Sequence, residues 1–319
     1  MDTIYINENN CRVHRAGEHL LVKRDGRKVM TAPLEGVKSV VVCGSVQFTT
    51  QALELFLDRG IDVVFTDLSG QVKGHLAVQK RSGVVVRLAQ YALFMDKERR
   101  LELAKTIISG KIRNQQTVLL HSRKKDAVGR TRQAAKEMDT ALITLDSVHS
   151  IDKAMGCEGI AARIYFDAFR SILGRKDFSR REYRPAPDIV NSALNLGYSF
   201  LSNEATLALT AVKLDTELGF LHSIHYGRNS LALDLMEEFR APFVDAWVIR
   251  MLNGKILTGN DFEGKEQGYF LTRDGYHKFL EEFHKHAKSV DWRRYIAAQS
   301  SKLKAFVLRG EAYEPFEFK

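Results

Sequence analysis

The chain has 319 residues, of which 45% are hydrophobic, 27% are charged and only 5 are proline, so a sizeable core is available and wholesale disorder and long Pro-rich linkers are excluded. Lys and Arg number 48 against 39 Asp and Glu, a net charge of +9 that favours a polyanionic partner, either nucleic acid or an anionic membrane surface. No apolar run reaches the roughly 18 residues a membrane span needs, and three distant cysteines (Cys11, Cys43, Cys157) with no CxxC fit a reducing cytoplasm rather than a disulfide scaffold or a zinc ribbon.

The first residues, Met1-Asp2-Thr3-Ile4-Tyr5, have neither a basic nor an apolar leader region, so no signal peptide is expected. Thr3–Ile6 and Cys11–His14 read as strands around the turn-rich Asn7-Glu8-Asn9-Asn10. Leu20–Lys23 and Lys28–Thr31 flank Asp25-Gly26, a pair suited to a type I′ hairpin. Val37–Val42 is a continuous apolar strand. Thr49 or Thr50 caps a short helix carrying Ala52, Leu53, Phe56 and Leu57, which Gly60 ends. Ile61–Phe65 and Gln71–Leu76 are strands joined by Asp67-Leu68-Ser69-Gly70.

From Val84 onward the apolar period is helical, first through Leu88, Tyr91, Ala92 and Met95, then through Leu101, Ala104, Ile107, Ile108 and Ile112. Further helices are expected over Ala141–Leu145, Ile151–Leu173, Ile189–Leu209, Ser230–Leu252, Tyr276–Ala287 and Trp292–Leu308. The fold class is therefore α+β, with a small β-rich domain over residues 1–80, a linker at about 81–86 and a larger, mainly α-helical domain over 87–319. Between Lys97 and Lys136 basic residues dominate, among them Arg99, Arg100, Arg123, Lys124 and Lys125. They form either a solvated helical hairpin with a loop or a surface that tracks phosphates.

Three segments could carry chemistry. Glu158, in Gly156-Cys157-Glu158-Gly159, has Ala154, Met155, Ala161 and Ala162 at helical neighbour spacing, so its carboxylate follows an apolar stripe. A carboxylate there needs a cation, a proton or a donor: a buried Arg, a Tyr or a metal ion. His222 follows Gly219-Phe220-Leu221, with His225 as a rival; a structural role and a ligand role both stay open. In Ser230–Arg240, Ser230 is a candidate N-cap, Leu231, Leu235 and Phe239 form a ridge, and Asp234 and Glu237 share a face. That face either binds a divalent cation or is an exposed acidic surface on which Arg240 neutralises Glu237. His277, His284 and His286 read as surface residues of a charged helix. Phosphate-binding glycine loops, GxSxG and HExxH are absent. Oxygen ligands with a single imidazole suit Mn²⁺ or Mg²⁺. With the positive charge, this points to metal-assisted phosphodiester chemistry on nucleic acid.

The ordered run of these segments resembles the CRISPR adaptation integrase family, Cas-one, over nearly the whole chain. Gly156–Phe166 resembles the family's Glu motif; Arg184–Asn191 with Leu194-Asn195-Leu196-Gly197-Tyr198 resembles its central motif. Leu218–His222 and Ser230–Arg240 resemble its His and acidic motifs, and Val86-Arg87-Leu88-Ala89-Gln90 the opening of its helical domain. The resemblance implies that the N-terminal β domain dimerises the protein and that the helical domain is catalytic. It assigns Glu158, His222 and Glu237 to catalysis and to a Mn²⁺ or Mg²⁺ ion, with Asp234 beside or behind them as an auxiliary ligand. It implies double-stranded DNA and the small protein Cas-two as partners, and insertion of short DNA segments into a CRISPR array by 3′-hydroxyl attack on a repeat phosphodiester. The alternatives are a stand-alone metal-dependent nuclease on branched or single-stranded nucleic acid, and a non-catalytic nucleic-acid-binding subunit.

Overall fold

The computed structural model describes residues 3–6, 9–66, 72–76, 83–122, 124–175, 177–183 and 185–319. The chain divides into two units, Met1–Arg81 and Ser82–Lys319. The expected loop Asp67-Leu68-Ser69-Gly70, residues 7 and 8, and residues 81 and 82 of the expected linker lie outside the described residues.

The first unit holds β1 (Thr3–Ile6), β2 (Cys11–Ala16), β3 (His19–Arg24), β4 (Arg27–Pro33), β5 (Ser39–Cys43), β6 (Val46–Phe48), α1 (Thr50–Asp58), β7 (Asp62–Thr66) and β8 (Val72–Leu76). One sheet has the order β1-β5-β7-β8, parallel except for β8, and the other β4-β3-β2-β6. All five residues of β5 are buried, which explains its unbroken apolar run between two parallel neighbours. The β3–β4 hairpin turns at Asp25 and Gly26, with φ of 51° and 74°, as a type I′ turn demands. The side chain of Thr49 accepts from the Ala52 N–H and so caps α1. Val13 and Leu20 of one sheet, Val40 and Val63 of the other, and Ala52 and Phe56 of α1 join in one core. Strand β6 is absent from the sequence expectation. Three residues of mixed burial carry no periodic signal, and pairing to Cys11–Val13 is what makes them a strand.

The second unit holds α2 (Val84–Met95), α3 (Lys97–Leu120), α4 (Val128–Ser147), α5 (Ile151–Leu173), α6 (Ile189–Ala211), α7 (Ser230–Phe239), α8 (Ala246–Asn253), β9 (Phe262–Lys265), β10 (Gly268–Leu271), α9 (Arg273–Val290) and α10 (Trp292–Arg309). Helix α2 thus begins inside the stretch expected as linker. Helix α6 is buried on nearly every side, and its Leu194, Leu201, Ala205 and Leu209 are part of a single core that reaches from α2 to the C-terminal tail. Asp188 caps it, accepting from the Asn191 N–H at 2.8 Å.

The expected helix Ser230–Leu252 is interrupted by a π-helical turn over Arg240–Asp245. Pro242 has no N–H to give the ladder, so the turn widens there. Ser230 is not the N-cap of α7: that position is Asn229, and the Ser230 hydroxyl donates to the Ser223 carbonyl at 2.9 Å. Nor does His286 lie on the surface. It is buried, its Nε2 is 3.1 Å from the Phe243 carbonyl, and its ring stacks on Trp247. All three cysteines are free and buried. No helix of the described residues is long and apolar enough to cross a membrane.

Candidate active site

Helix α5 starts at Ser150, whose hydroxyl accepts from the Lys153 N–H, and buries Ala154, Cys157, Ala161 and Tyr165. Glu158 stands at the edge of that stripe rather than within it, with 24% of its side chain exposed. On α7, Asp234, Glu237 and Glu238 are all buried, which overturns the exposed acidic face. They are buried because α7 is enclosed on nearly every side: of its ten residues only Leu233 is not buried.

Asp234 shapes the loop before α7. Its Oδ2 accepts from the N–H groups of Phe220 and Leu221 at 2.5 and 3.0 Å, and its Oδ1 from the N–H of His222 at 2.9 Å. The same Oδ1 lies 2.7 Å from His222 Nδ1. A carboxylate only accepts, so the proton sits on Nδ1 and the lone pair on Nε2. Nε2 lies 3.9 Å from Glu237 Oε1. Gly219 lets this loop lie against α7: a Cβ there would meet Ser230 Cβ at 2.8 Å and the His222 carbonyl at 2.9 Å. His225 is exposed and takes no part.

Glu158, His222 and Glu237 line one cavity of about 40 Å³ together with Lys111, Met155 and Leu221. The three sequence-derived site residues therefore converge from α5, the loop and α7. Asp234 stands behind His222 with both oxygens committed, so it is a holder of the ring and not a ligand facing the cavity.

Lys111 of α3 was not singled out in the sequence. Its ammonium is in contact with Glu158 Oε1 and lies 2.5 Å from Glu237 Oε2. The signal was present: three and four residues away stand Ile107, Ile108, Asn114 and Gln115, all uncharged and all buried. Burial opposes the charge on Lys111, but Glu237 and Glu158 outweigh it and raise its pKa. Burial likewise opposes the charge on Glu237. Arg240, whose Nε donates to Oε1 at 2.9 Å, together with Lys111, overcomes it and holds the carboxyl at about 2. Arg240 in turn lies 4.7 Å over the ring of Tyr198. The Tyr198 and Tyr165 hydroxyls donate to buried Asp245 at 2.5 and 2.9 Å, behind the site.

The basic residues chosen for DNA divide. Arg100 is held internally: its Nε donates to the Phe220 carbonyl at 2.9 Å and its guanidinium lies 4.1 Å over Phe94. Arg99 lies 5.3 Å over Phe306, and Lys124 donates to the Ser171 carbonyl at 3.0 Å. Lys125 is exposed; Arg123 lies outside the described residues.

Among the described residues, no three His, Cys, Asp or Glu side chains stand ready as a metal cage. The chemistry of the donor set still fits a divalent ion. Two carboxylates and an imidazole lone pair face one small cavity, and a cation already bridges the carboxylates. The 3.9 Å between His222 Nε2 and Glu237 Oε1 can be spanned by one ion with bonds of about 2.1 Å.

The model of the family described as CRISPR associated protein Cas1 matches residues 4–285. A CRISPR-associated endonuclease Cas1 from Thermus thermophilus is 32% identical, covering 98% of this chain and 96% of that protein. Among solved structures, a casposase bound to integration product is 25% identical, with a TM-score of 0.83 over 100% of this chain and 95% of that one. A chain of a Cas6-RT-Cas1–Cas2 complex, 20% identical, has the same fold, with a TM-score of 0.85 over 99% of this chain and 36% of that one. The segments that form the cavity thus lie in a chain that belongs to the Cas1 family of CRISPR-associated endonucleases.

Proposed function

We propose that this protein is a metal-dependent DNA endonuclease and integrase of CRISPR adaptation. The observation that carries this reading is the convergence of Glu158, His222 and Glu237 on one small cavity. In the proposed reaction the 3′-hydroxyl of a short DNA duplex attacks a phosphodiester of the repeat. A new P–O bond forms and the old one breaks, leaving a free 3′-hydroxyl on the displaced strand. Glu158, Glu237 and His222 Nε2 would hold a Mn²⁺ or Mg²⁺ ion, which when bound supplies Lewis-acid polarisation of a phosphate oxygen. Asp234 fixes the tautomer and direction of His222, and Arg240 fixes Glu237. Met155 and Leu221 give the cavity apolar walls, which strengthens electrostatic contacts within it.

The casposase neighbour supports strand transfer, and the Cas1–Cas2 neighbour supports a Cas2 partner for this chain. The short sheets of the first unit, whose outer strands β4 and β6 leave edges that a symmetric copy can cover, support a homodimer through that unit. The test is strand transfer. Purified protein with Cas2, a short duplex with free 3′-hydroxyls and a repeat-containing plasmid is expected to yield covalently joined product with Mn²⁺ and none with EDTA. Metal-dependent nicking without joined product would reduce the activity to hydrolysis, with water in place of the 3′-hydroxyl. No metal-dependent product of either kind would overturn the reading.

A further inference from the structure

We infer that Lys111 is the resident cation of this pocket, and that a divalent ion enters only by displacing its ammonium, so metal loading is an exchange of one cation for another. The inference rests on the metal-site reading given above.

Glu158 and Glu237 come from different helices, and their carboxylates share a cavity of about 40 Å³. Two like charges at that distance repel strongly when partly buried. Lys111 removes the repulsion by reaching both, Glu158 through Oε1 and Glu237 through Oε2. The other oxygen of Glu237 also accepts from Arg240. One oxygen of each carboxylate that an ion would use is therefore held by the ammonium. An ion coordinated by those oxygens would sit at contact distance from a like charge, in a cavity with space for only a few waters. Lys111 can leave where Arg240 cannot. Arg240 is braced by its hydrogen bond to Glu237 and by Tyr198, whereas the lysine head group sits on a flexible four-carbon stem.

Exchange makes a prediction opposite to that of a supporting role. If Lys111 merely shaped the site, its loss would weaken metal binding. If it competes with the ion, its loss strengthens binding. Lys111→Met keeps the apolar stem and removes the charge. In a Mn²⁺ titration read by the electron paramagnetic resonance of free Mn²⁺, it is expected to bind at least about tenfold more tightly than the wild type. It should also have a lower melting temperature without metal and a larger rise on adding Mn²⁺. Lys111→Arg keeps a cation and should retain weak binding. Unchanged or weaker Mn²⁺ binding in Lys111→Met overturns the inference.

A second measurement needs no variant. Acetylation of wild-type lysines, read by peptide mass spectrometry, is expected to increase several-fold at Lys111 on adding Mn²⁺, while exposed Lys125 stays constant. Unchanged or reduced labelling of Lys111 overturns the exchange. If neither the wild type nor Lys111→Met binds Mn²⁺, the metal site itself is wrong. If both bind in a Glu158-dependent manner with equal affinity, the site stands and only the exchange fails.

Discussion

Asp234 accepts from three backbone N–H groups and faces His222 Nδ1, all with one carboxylate. Asp234→Asn puts a donor where an acceptor is needed and leaves a buried N–H unpaired, at a cost of about 1–3 kcal/mol. It also frees the His222 ring, so metal-dependent nicking should fall by roughly 10–100-fold. Urea midpoints and nicking rates check this together, and lost stability with full nicking would make Asp234 purely a loop anchor. Titration gives a second prediction at this scale. Burial, with Arg293 and Arg250 nearby, lowers His284 and His286 to about 4. Each therefore contributes stability that is present above its unfolded value of about 6.5 and is lost as the pH falls through 4. Burial raises Glu238 to about 7 and Asp245 to about 6, and their contributions run the other way, present at low pH and lost as it rises. The four oppose each other between about pH 4.5 and 6 and largely cancel there. His286→Gln removes one histidine, so relative to the wild type its stability should decline with rising pH by about 1.4 kcal/mol per unit, as urea midpoints of both proteins across that window would show.

The last ten residues form no helix or strand, yet they tie together the elements that carry the site. The N–H of Phe316 donates to Glu238 at 2.7 Å, Asn114 of α3 donates to the Phe316 carbonyl at 2.7 Å, and the Phe318 N–H donates to Asn114 at 2.8 Å. Tyr313 and Gln299 of α10 add donors to Glu238 at 2.5 and 2.9 Å. The tail thereby joins α3, which carries Lys111, to α7, which carries Glu237. Gly110 allows the close approach, since a Cβ there would lie 2.5 Å from Pro315 Cβ. Gly110→Ala should push the tail off and cost about 1–3 kcal/mol, with faster proteolysis after Gly310 as the check. Neither this tail nor the β9–β10 hairpin was legible in the sequence. Their order comes from partners far along the chain, and no short-range periodicity records that. Helix α5 was legible to the residue, because Ser150 caps one end and Gly174, with φ of 63°, ends the other. Glu158 was legible as a carboxylate along an apolar stripe and His222 as a histidine after an apolar pair, whereas Glu237 was singled out from the acidic segment only through the family resemblance. Lys111 was hidden because it stands in a basic stretch that reads as surface.

At the scale of the whole molecule, the excess positive charge has to be divided between holding the fold and holding DNA, and the structure changes that division. Arg100 binds the Phe220 carbonyl, next to the N–H that Asp234 accepts, so it braces the loop that presents His222. Lys125 is exposed and points to no internal partner among those described. Each phosphate contact releases counterions, so log affinity for duplex DNA should fall by roughly 0.9 per log unit of salt for each contact. Lys125→Ala should flatten that slope by about one contact for all sequences alike and leave the melting temperature unchanged. Arg100→Ala should do the reverse, lowering the melting temperature while the slope stays. Glu158→Ala belongs to neither class. It removes a carboxylate from the cavity without touching the basic surface, so DNA affinity should change little while metal-dependent nicking and strand transfer are abolished. Fluorescence anisotropy over a salt series, run beside the strand-transfer assay, separates the three. Strand transfer that survives Glu158→Ala at saturating DNA would show that Glu158 serves only to pair with Lys111.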